Sequence, residues 1–196
     1  MILHEMIQTY FDTLYNPLNS EIKQSMFGKP NEIYGELYYY SIVKLLKYLE
    51  ITEKDHFLDV GSGLGKLVFQ IFLTTKAASV TGIEINHQRY SISCKIRDQL
   101  KQQLPGIFNG SRSLDFLYDD FLNYNFSNIN IIYVCSLVFS IDLLNAIGNK
   151  INNMNSVKKI VSFRKLSNLN KFKLSKKLFL HGTWDKAACY IYTNHT

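Results

Sequence analysis

Residues 57–70 read FLDVGSGLGKLVFQ, an apolar segment that carries Asp59 and then Gly61, Gly63 and Gly65. A strand that leads through a glycine turn into a helix places backbone N–H groups and the positive end of a helix dipole at the carboxyl edge of a parallel sheet. Ligands of doubly wound α/β folds bind at that edge. The segment therefore predicts a site for a nucleotide-like ligand on an α/β fold.

The rest of the sequence predicts the alternation of strands and helices that such a fold needs. We expect strands over residues 56–60, 79–84, 114–118, 130–137 and 158–163. Connecting helices are expected over residues 66–75, 87–104 and 141–150. Two extended stretches around Gly182 then predict an antiparallel hairpin at one edge of a mostly parallel, Rossmann-like sheet.

The first residues predict a short helical extension before this domain. Apolar side chains recur at helical spacing over residues 2–15, whereas residues 20–34 lack a sustained period and predict a loop. A second helix is expected over residues 37–50. With 196 residues and 46% apolar content, the chain has the size of one domain. We divide it into an extension, residues 1–33, and a single compact domain, residues 34–196.

The cysteines and histidines favour a reduced protein without a metal site. Cys94, Cys135 and Cys189 are odd in number and lie outside any CxxC pattern, and the five histidines lack metal-ligand spacing. The N-terminus carries no secretory leader pattern, and the nearest approach to a membrane span is the short apolar run 131–139. We expect a cytosolic protein, of its own cell or of a host, without a membrane partner.

The positive charge is concentrated at the C-terminal end. Residues 1–150 hold 13 Lys and Arg against 15 Asp and Glu, whereas residues 151–196 hold 9 against 1. Such a basic quarter can attract nucleic acid, an acidic protein or an acidic membrane. An ordinary solvated, lysine-rich surface is the alternative.

Two ligand-binding motifs and one catalytic motif that use such glycines fail on their spacing. A dinucleotide fingerprint needs GxGxxG, but the glycines here are spaced GxGxG and Lys66 stands where the third would be. A phosphate-binding P-loop needs GxxxxGK followed by Ser or Thr, but Lys66 is followed by Leu67. A hydrolase elbow, GxSxG, fails because Ser62 comes one place too early.

S-adenosylmethionine suits the remaining observations, because it joins a nucleoside to an amino acid without a phosphate. Asp59, at the end of the first strand, can meet the methionyl ammonium directly or through water. Glu84, at the end of the second strand, can accept hydrogen bonds from both ribose hydroxyls, as a carboxylate does there in nucleoside-binding folds. A glycine loop that only turns the chain is the alternative.

Longer motifs resemble a particular family. The segment NEIYGELYYYSIVKLLKYLEITEKDHFLDVGSGLGKLVFQ, Glu84 and the later YDDFL resemble the non-SET, DOT-type histone-lysine methyltransferases, named for disruption of telomeric silencing. The likeness is nearly continuous over residues 31–84, resumes at Asp120 and Phe121, and is fainter at residues 160–166 and in the last hairpin. It implies a class I S-adenosylmethionine-dependent methyltransferase fold.

The resemblance also implies roles for individual residues. The cofactor-binding set would be Tyr34, Gly35, Glu36, Leu37, Asp59, Gly61, Ser62, Gly63, Gly65, Lys66, Glu84, Asp120 and Phe121. Asp120 would accept from the adenine amino group, although Asp119 and Asp120 can equally form a solvated turn. The acceptor channel would be lined by Tyr34, Cys135, Ser136 and Trp184, with Phe139 and Tyr190 as further candidates.

Three departures from the family pattern bear on activity. Leu37 replaces a hydroxyl residue after YGE, and Lys66 replaces a Gln, although its ammonium can pair with the methionyl carboxylate. An Asn-Asn-Phe type segment lines the family's acceptor channel, but Cys135, Ser136 and Leu137 stand at the matching place. Either the acceptor differs or turnover is weak.

Three functions follow as hypotheses. The first is a lysine methyltransferase acting on histones, nucleosomes or other basic proteins, in the nucleus or cytoplasm, with nucleic-acid contact through the basic quarter. The second is a methyltransferase for RNA or a small molecule on the same fold. The third is a cofactor-binding module without useful turnover.

Overall fold

The computed structural model of the chain describes residues 2–26, 34–108 and 110–195. The helices are α1 (Ile2–Tyr15), α2 (Asn19–Ser25), α3 (Tyr39–Leu49), α4 (Lys66–Thr74), α5 (His87–Gln103) and α6 (Ile141–Asn152), with 3-10 turns at Asn16–Leu18 and Pro105–Phe108. The strands are β1 (His56–Val60), β2 (Ser79–Glu84), β3 (Ser113–Tyr118), β4 (Ile131–Val134), β5 (Lys159–Ser162), β6 (Phe172–Gly182) and β7 (Asp185–Asn194).

The seven strands form one sheet in the order β3-β2-β1-β4-β5-β7-β6. The first five strands run parallel, and β7 inserts antiparallel between β5 and β6. The order reverses at β1, whose carboxyl end therefore borders a crevice of the kind that binds ligands in doubly wound sheets. The predicted mostly parallel sheet with an antiparallel C-terminal hairpin is confirmed.

Alternating side chains of the parallel strands supply both faces of the sheet. Phe57 and Ile131 belong to a core shared with α1, α3, α4 and α5, whereas Leu58 and Ile132 belong to a second core with α6. All four side chains are at most 2% exposed. Burial on both faces explains why β1 and β4 are nearly continuous apolar runs.

The structure corrects two local expectations. Residues 20–25, predicted as loop, belong to α2, whose buried Ser25 accepts a hydrogen bond at its carbonyl from Arg89 Nε at 3.0 Å. Contacts with the rest of the protein thus stabilise a polar helix that the spacing of its apolar residues does not predict. The remainder of that predicted loop, residues 27–33, lies outside the described residues. The strand predicted over 130–137 ends at Val134, because the chain then turns towards α6.

No helix in the part of the chain that the structure describes has the length and apolar character needed to cross a membrane.

Leu45 tests how strongly the core holds α3, the helix that follows the YGE segment, residues 34–36. Leu45 is 0% exposed, so Leu45→Ala should lower the free energy of unfolding by about 2–5 kcal/mol through lost apolar burial and a residual cavity. Chemical denaturation followed by circular dichroism measures this. Met6→Ala is the control, because Met6 is 63% exposed and its loss should cost less than about 0.5 kcal/mol. Equal effects of the two variants would contradict the packing of α3.

Candidate ligand-binding site

The glycine loop is fastened to the end of the neighbouring strand. Gly61 and Ser62 both donate their backbone N–H to the carbonyl of Ile83, at 2.9 and 3.0 Å. Gly61, Gly63 and Gly65 have φ of 75°, 56° and 80°, in the left-handed region where a side chain is strained. A Cβ at Gly63 would also strike the Tyr34 ring. The glycines therefore allow both the turn and a close approach to its backbone.

Glu84 holds the loop from the carboxyl end of β2. Its Oε2 accepts from the Gly63 N–H at 2.7 Å, and its Oε1 accepts from the Asn86 N–H at 2.8 Å. The residue is only 5% exposed. A carboxylate has about four acceptor positions. Glu84 thus fixes the loop and the start of α5 while keeping capacity to accept from a ligand's hydroxyls.

Asp59 is a buried carboxylate without full compensation. It is 3% exposed, and its Oδ1 has no hydrogen-bond partner among the described residues. Burial, and then the neighbouring charge of Glu84, hold the pKa of Asp59 well above its ordinary value of 3.8. A cationic ligand group beside Asp59 would relieve both effects. The site is therefore electrostatically suited to a ligand that brings an ammonium.

The YGE segment is attached to the tip of the β6–β7 hairpin. Thr183 N donates to Glu36 O at 2.8 Å, and Glu36 N donates to Thr183 Oγ1 at 3.0 Å. Leu37 forms an antiparallel bridge with Gly182. Gly35 packs so closely on Trp184 that a Cβ would lie 2.5 Å from its ring. The hairpin, remote in sequence, thus positions the YGE segment over the glycine loop.

Glu36 joins the YGE segment to the start of α4. Its Oε2 forms an ion pair with Lys66 Nζ at 2.7 Å, and its Oε1 accepts from the Tyr34 hydroxyl. Burial and the Glu36 charge raise the pKa of Tyr34 well above 10.0, so this phenol stays protonated. Lys66 Nζ also lies 4.9 Å from the centroid of the Tyr15 ring. In this structure the Lys66 ammonium is therefore engaged by Glu36.

Two adjoining cavities lie between these elements. The main cavity has a volume of about 210 Å³ and the small cavity about 40 Å³. The main cavity is lined by Tyr34, Gly35, Gly61, Gly63, Glu84, Ile85, Arg89, Cys135, Leu137, Val138, Phe139, Thr183 and Trp184. The small cavity is lined by Tyr34, Gly35, Glu36, Leu37, Ile42, Asp59, Gly61, Ser62, Lys66, Leu67, Tyr133 and Cys135.

Most of the residues singled out from the sequence meet at these cavities. Gly65 does not line either one, because it is the N-cap residue of α4 and packs against Phe116 and Phe69. Tyr190, on β7, also lies elsewhere: its ring centroid is 5.8 Å from the Nζ of Lys177 on β6. Asp120, Phe121 and Ser136 are likewise absent from both linings.

Asp120 and Phe121 form a turn after β3. Asp120 Oδ1 accepts from Leu122 N at 2.8 Å, and the Phe121 ring is 4% exposed and stacks on Phe126 with centroids 5.8 Å apart. The ring is thus part of the second core. Their role at the adenine remains a prediction, with the Asp120 carboxylate already engaged in its turn.

Ser136 holds strands together. It is 0% exposed, shares a hydrogen bond with Ser162 Oγ at 2.8 Å, and accepts from Arg164 N at 2.9 Å. Its hydroxyl therefore ties the end of β4 to the loop after β5. The structure does not bring Ser136 to the cavity wall, and an acceptor-channel role for it has no contact to support it.

Cys135 and Trp184 both line the main cavity. Burial, and then Asp59, raise the pKa of the Cys135 thiol to about 12, so it remains a neutral wall at neutral pH. Trp184 packs edge-on against Phe163 with centroids 5.7 Å apart. Its Nε1 has no partner among the described residues. Phe139 completes the aromatic part of the lining.

Sequence reasoning missed Arg89, Ile85 and Thr183. Arg89 is 3% exposed, its guanidinium carbon lies 5.3 Å from the Tyr34 ring centroid, and its Nη2 has no partner among the described residues. Ile85 and Arg89 come within five residues after Glu84 in the sequence. This closeness to a carboxylate at the end of a strand was the available signal. Thr183 carried no signal, since its role depends on where the hairpin tip docks.

The sequence matches known proteins along most of its length. The family model for "Histone methylation protein DOT1" matches residues 18–179. A histone-lysine N-methyltransferase of Caenorhabditis elegans, H3 lysine-79 specific, is 22% identical over 182 residues, or 84% of this chain. A protein of the same name from Drosophila melanogaster is 36% identical over 53 residues. The chain spans only 19% and 3% of the lengths of these relatives.

Solved structures show the same fold. Magnesium protoporphyrin IX methyltransferase from Synechocystis, with bound S-adenosylhomocysteine, superposes with a TM-score of 0.63 at 10% identity, covering 95% of this chain and 99% of that one. An RNA methyltransferase from Salinibacter ruber, in complex with S-adenosylhomocysteine, gives 0.60 at 15% identity, covering 81% and 93%. The predicted Rossmann-like methyltransferase fold is confirmed.

Asp59 gives a pH-dependent test of the site. Because its pKa is raised in the folded state, its ionisation lowers the free energy of unfolding as pH rises above 3.8, until the folded-state pKa is passed. Asp59→Asn cannot ionise, so it should be more stable than the wild type at pH 7, by at least about 1 kcal/mol, and the gain should shrink towards pH 4. Urea denaturation across this range measures it. Asp12→Asn, at an exposed position of α1, is the control; an Asp59→Asn profile parallel to the wild type would contradict the burial.

Proposed function

Because the chain belongs to the DOT1 family of histone methylation proteins, we propose that it is an S-adenosylmethionine-dependent methyltransferase that modifies a lysine of a histone or another basic protein. One observation carries the proposal: two buried carboxylates, Asp59 and Glu84, flank a left-handed glycine loop that opens into an apolar cavity. The site therefore offers acceptors for a nucleoside and an ammonium, together with a wall for an uncharged reacting group.

The residues present fit this cofactor. The unpaired Asp59 Oδ1 suits the methionyl ammonium, and Glu84 suits the ribose hydroxyls. The missing side chain at Gly63 lets the Tyr34 ring pack on the glycine loop, and both residues line the main cavity. Arg89 would add a buried cation whose Nη2 is free to meet an anionic or carbonyl oxygen of the ligand. These residue assignments are proposals.

The cofactor supplies a methyl group on a sulfonium, which passes to a neutral amine by in-line displacement, leaving a neutral thioether. The chain's task is to admit the amine deprotonated and to hold it in line. Leu137, Val138, Phe139 and Trp184 give one wall of the cavity an apolar surface. Such a surface disfavours an ammonium and so lowers the pKa of an entering lysine.

Neither the Cys135 thiol nor the Tyr34 phenol, which both line the main cavity, is a ready general base. The Cys135 thiol has a pKa of about 12, and the Tyr34 phenol has a pKa well above 10.0. Both groups are therefore protonated and neutral when the amine enters. Their role is to border the channel, while the acceptor ammonium loses its proton to solvent as it enters.

The proposed acceptor also sets the partners and the place of action. A histone acceptor places the activity in a nucleus, of the protein's own cell or of a host. The excess of basic side chains after residue 150 would contact the phosphates of nucleosomal DNA in a salt-dependent manner. Cys135 and Ser136, which stand where the DOT-type pattern has amides, keep a non-protein acceptor and a module without turnover as competing outcomes.

The acceptor is tested by transfer of radiolabelled methyl from S-adenosylmethionine to nucleosomes, free histones, total RNA and cell extract in parallel. Label on a histone band, released by protease but not by ribonuclease, is the expected result. Label on RNA or on small molecules would move the function to another acceptor. A blank result, despite cofactor binding shown by calorimetry, would identify a binding module.

Glu84 tests the cofactor site itself. Glu84→Gln replaces a doubly accepting carboxylate with an amide that can accept at only one atom, so affinity for S-adenosylmethionine should fall about tenfold to a hundredfold. Titration calorimetry measures the affinity. Glu53→Gln, at an exposed turn position, should bind as the wild type does. Unchanged affinity in a folded Glu84→Gln protein would remove Glu84 from the site.

A further inference from the structure

A second concave surface lies on the far side of the YGE segment, between α3 and the edge strand β6. We call it the α3–β6 groove; it is open and has a volume of about 660 Å³. Tyr40 and Lys44 line it from α3, and Lys177 and Phe179 line it from β6. β6 is the last strand of the sheet, so the groove runs along a free edge.

The groove is basic. Lys44, Lys177 and Lys186 line it, and its described lining contains no Asp or Glu. None of the ion pairs among the described residues uses these three lysines. Lys44 Nζ lies 3.2 Å from the Phe179 carbonyl, and the Lys177 and Lys186 ammonium groups lie 5.3 and 5.1 Å from the Phe179 ring centroid. Three cations without an acidic partner therefore gather around one residue, two of them over its ring and one at its carbonyl.

The groove also exposes large aromatic side chains to water. Tyr38, Tyr40 and Phe179 are 53%, 60% and 48% exposed. Tyr40 contacts the edge of Tyr39, with centroids 5.6 Å apart and an interplanar angle of 88°. Large aromatic side chains are usually withdrawn from water. Exposed rings among lysines that have no acidic partner indicate a ligand that uses both.

We infer that the α3–β6 groove binds single-stranded nucleic acid. Bases present flat π-faces that stack on exposed tyrosine rings, while the phosphates between them meet lysine ammonium groups. A duplex hides those faces in its own stack, so Tyr38 and Tyr40 would gain nothing from it. An acidic peptide would use Lys44, Lys177 and Lys186 but would leave the rings without a partner. The combination of rings and cations therefore selects an unpaired strand.

The position of the groove links it to the main cavity. Tyr38 N donates to His181 O at 3.1 Å, and His181 N donates to Ser41 Oγ at 2.9 Å. Tyr38 and His181 line the groove, whereas Gly35 and Thr183 line the cavity. The same two backbone segments thus form the wall between the sites. A strand bound in the groove lies on the other side of this wall from the main cavity, and its binding requires neither cofactor nor methyl transfer.

The test is fluorescence anisotropy with a fluorescein-labelled 12-nucleotide single strand, of RNA and of DNA separately, without cofactor. A 12-base-pair duplex and polyglutamate are the comparison ligands. We expect either single strand to bind at least fivefold more tightly than the duplex and polyglutamate at equal salt. The salt dependence should correspond to about three phosphate contacts, with a log–log slope near −2.

Variants separate stacking from charge. Tyr40→Ala should weaken single-strand binding at least fivefold, because a stacking platform is lost, whereas Tyr40→Phe should retain it. Lys177→Ala should reduce the salt slope by about 0.7. Tyr118→Ala and Lys54→Ala are matched controls: Tyr118 is 54% exposed on β3, at the opposite sheet edge, and Lys54 is exposed in the turn before β1. Both should bind as the wild type does.

Three results would overturn the inference. Binding of polyglutamate or of the duplex as tight as that of the single strand would show a surface that recognises charge alone. Equal losses in Tyr40→Ala and Tyr118→Ala would place the strand elsewhere. Full binding by a folded Tyr38→Ala/Tyr40→Ala double variant would show that bases do not stack on these two tyrosines. Failure of methyl transfer in the separate acceptor assay leaves these binding measurements unaffected.

Discussion

The structure of the site depends on two carboxylates at the ends of adjacent parallel strands. Glu84 satisfies the backbone N–H groups of Gly63 and Asn86, so it holds the glycine loop and the first turn of α5 in one arrangement. Asp59 lies close enough for Glu84 to raise its pKa, and its Oδ1 stays without a partner among the described residues. The protein therefore carries a buried electrostatic cost that an ammonium at Asp59 would offset, as expected where stability is exchanged for binding.

The YGE segment makes this site depend on the far end of the chain. Glu36 pairs with Lys66 on one side and, through its backbone, with Thr183 on the other. The Tyr34 ring packs on Gly63 of the glycine loop, and the Trp184 ring packs on Gly35. The C-terminal hairpin is thus part of the site as well as the closing element of the sheet. Because the same segments bound the α3–β6 groove, a ligand in the groove would touch the wall of the cavity.

Local sequence was enough to predict the strands that are buried on both faces of the sheet and the helix that begins at the glycine turn. β1 and β2 have the predicted bounds, and Asp59, Glu84 and the loop between them meet as expected, because parallel neighbours bring their carboxyl ends together. The misses depend on distant contacts. α2 forms against Arg89, and the hydroxyl of Ser136 is taken by Ser162, a partner that only the β4–β5 pairing supplies. No residue spacing encodes such pairs.

We propose that Asp59 binds the ammonium of S-adenosylmethionine. Calorimetry of wild type and Asp59→Asn with S-adenosylmethionine and with 5′-methylthioadenosine, which has no amino-acid portion, tests it most directly. We predict at least a tenfold loss of S-adenosylmethionine affinity in Asp59→Asn, since a charge-assisted contact is removed, and no loss for 5′-methylthioadenosine. Equal effects on both ligands, or none on either, would contradict the account.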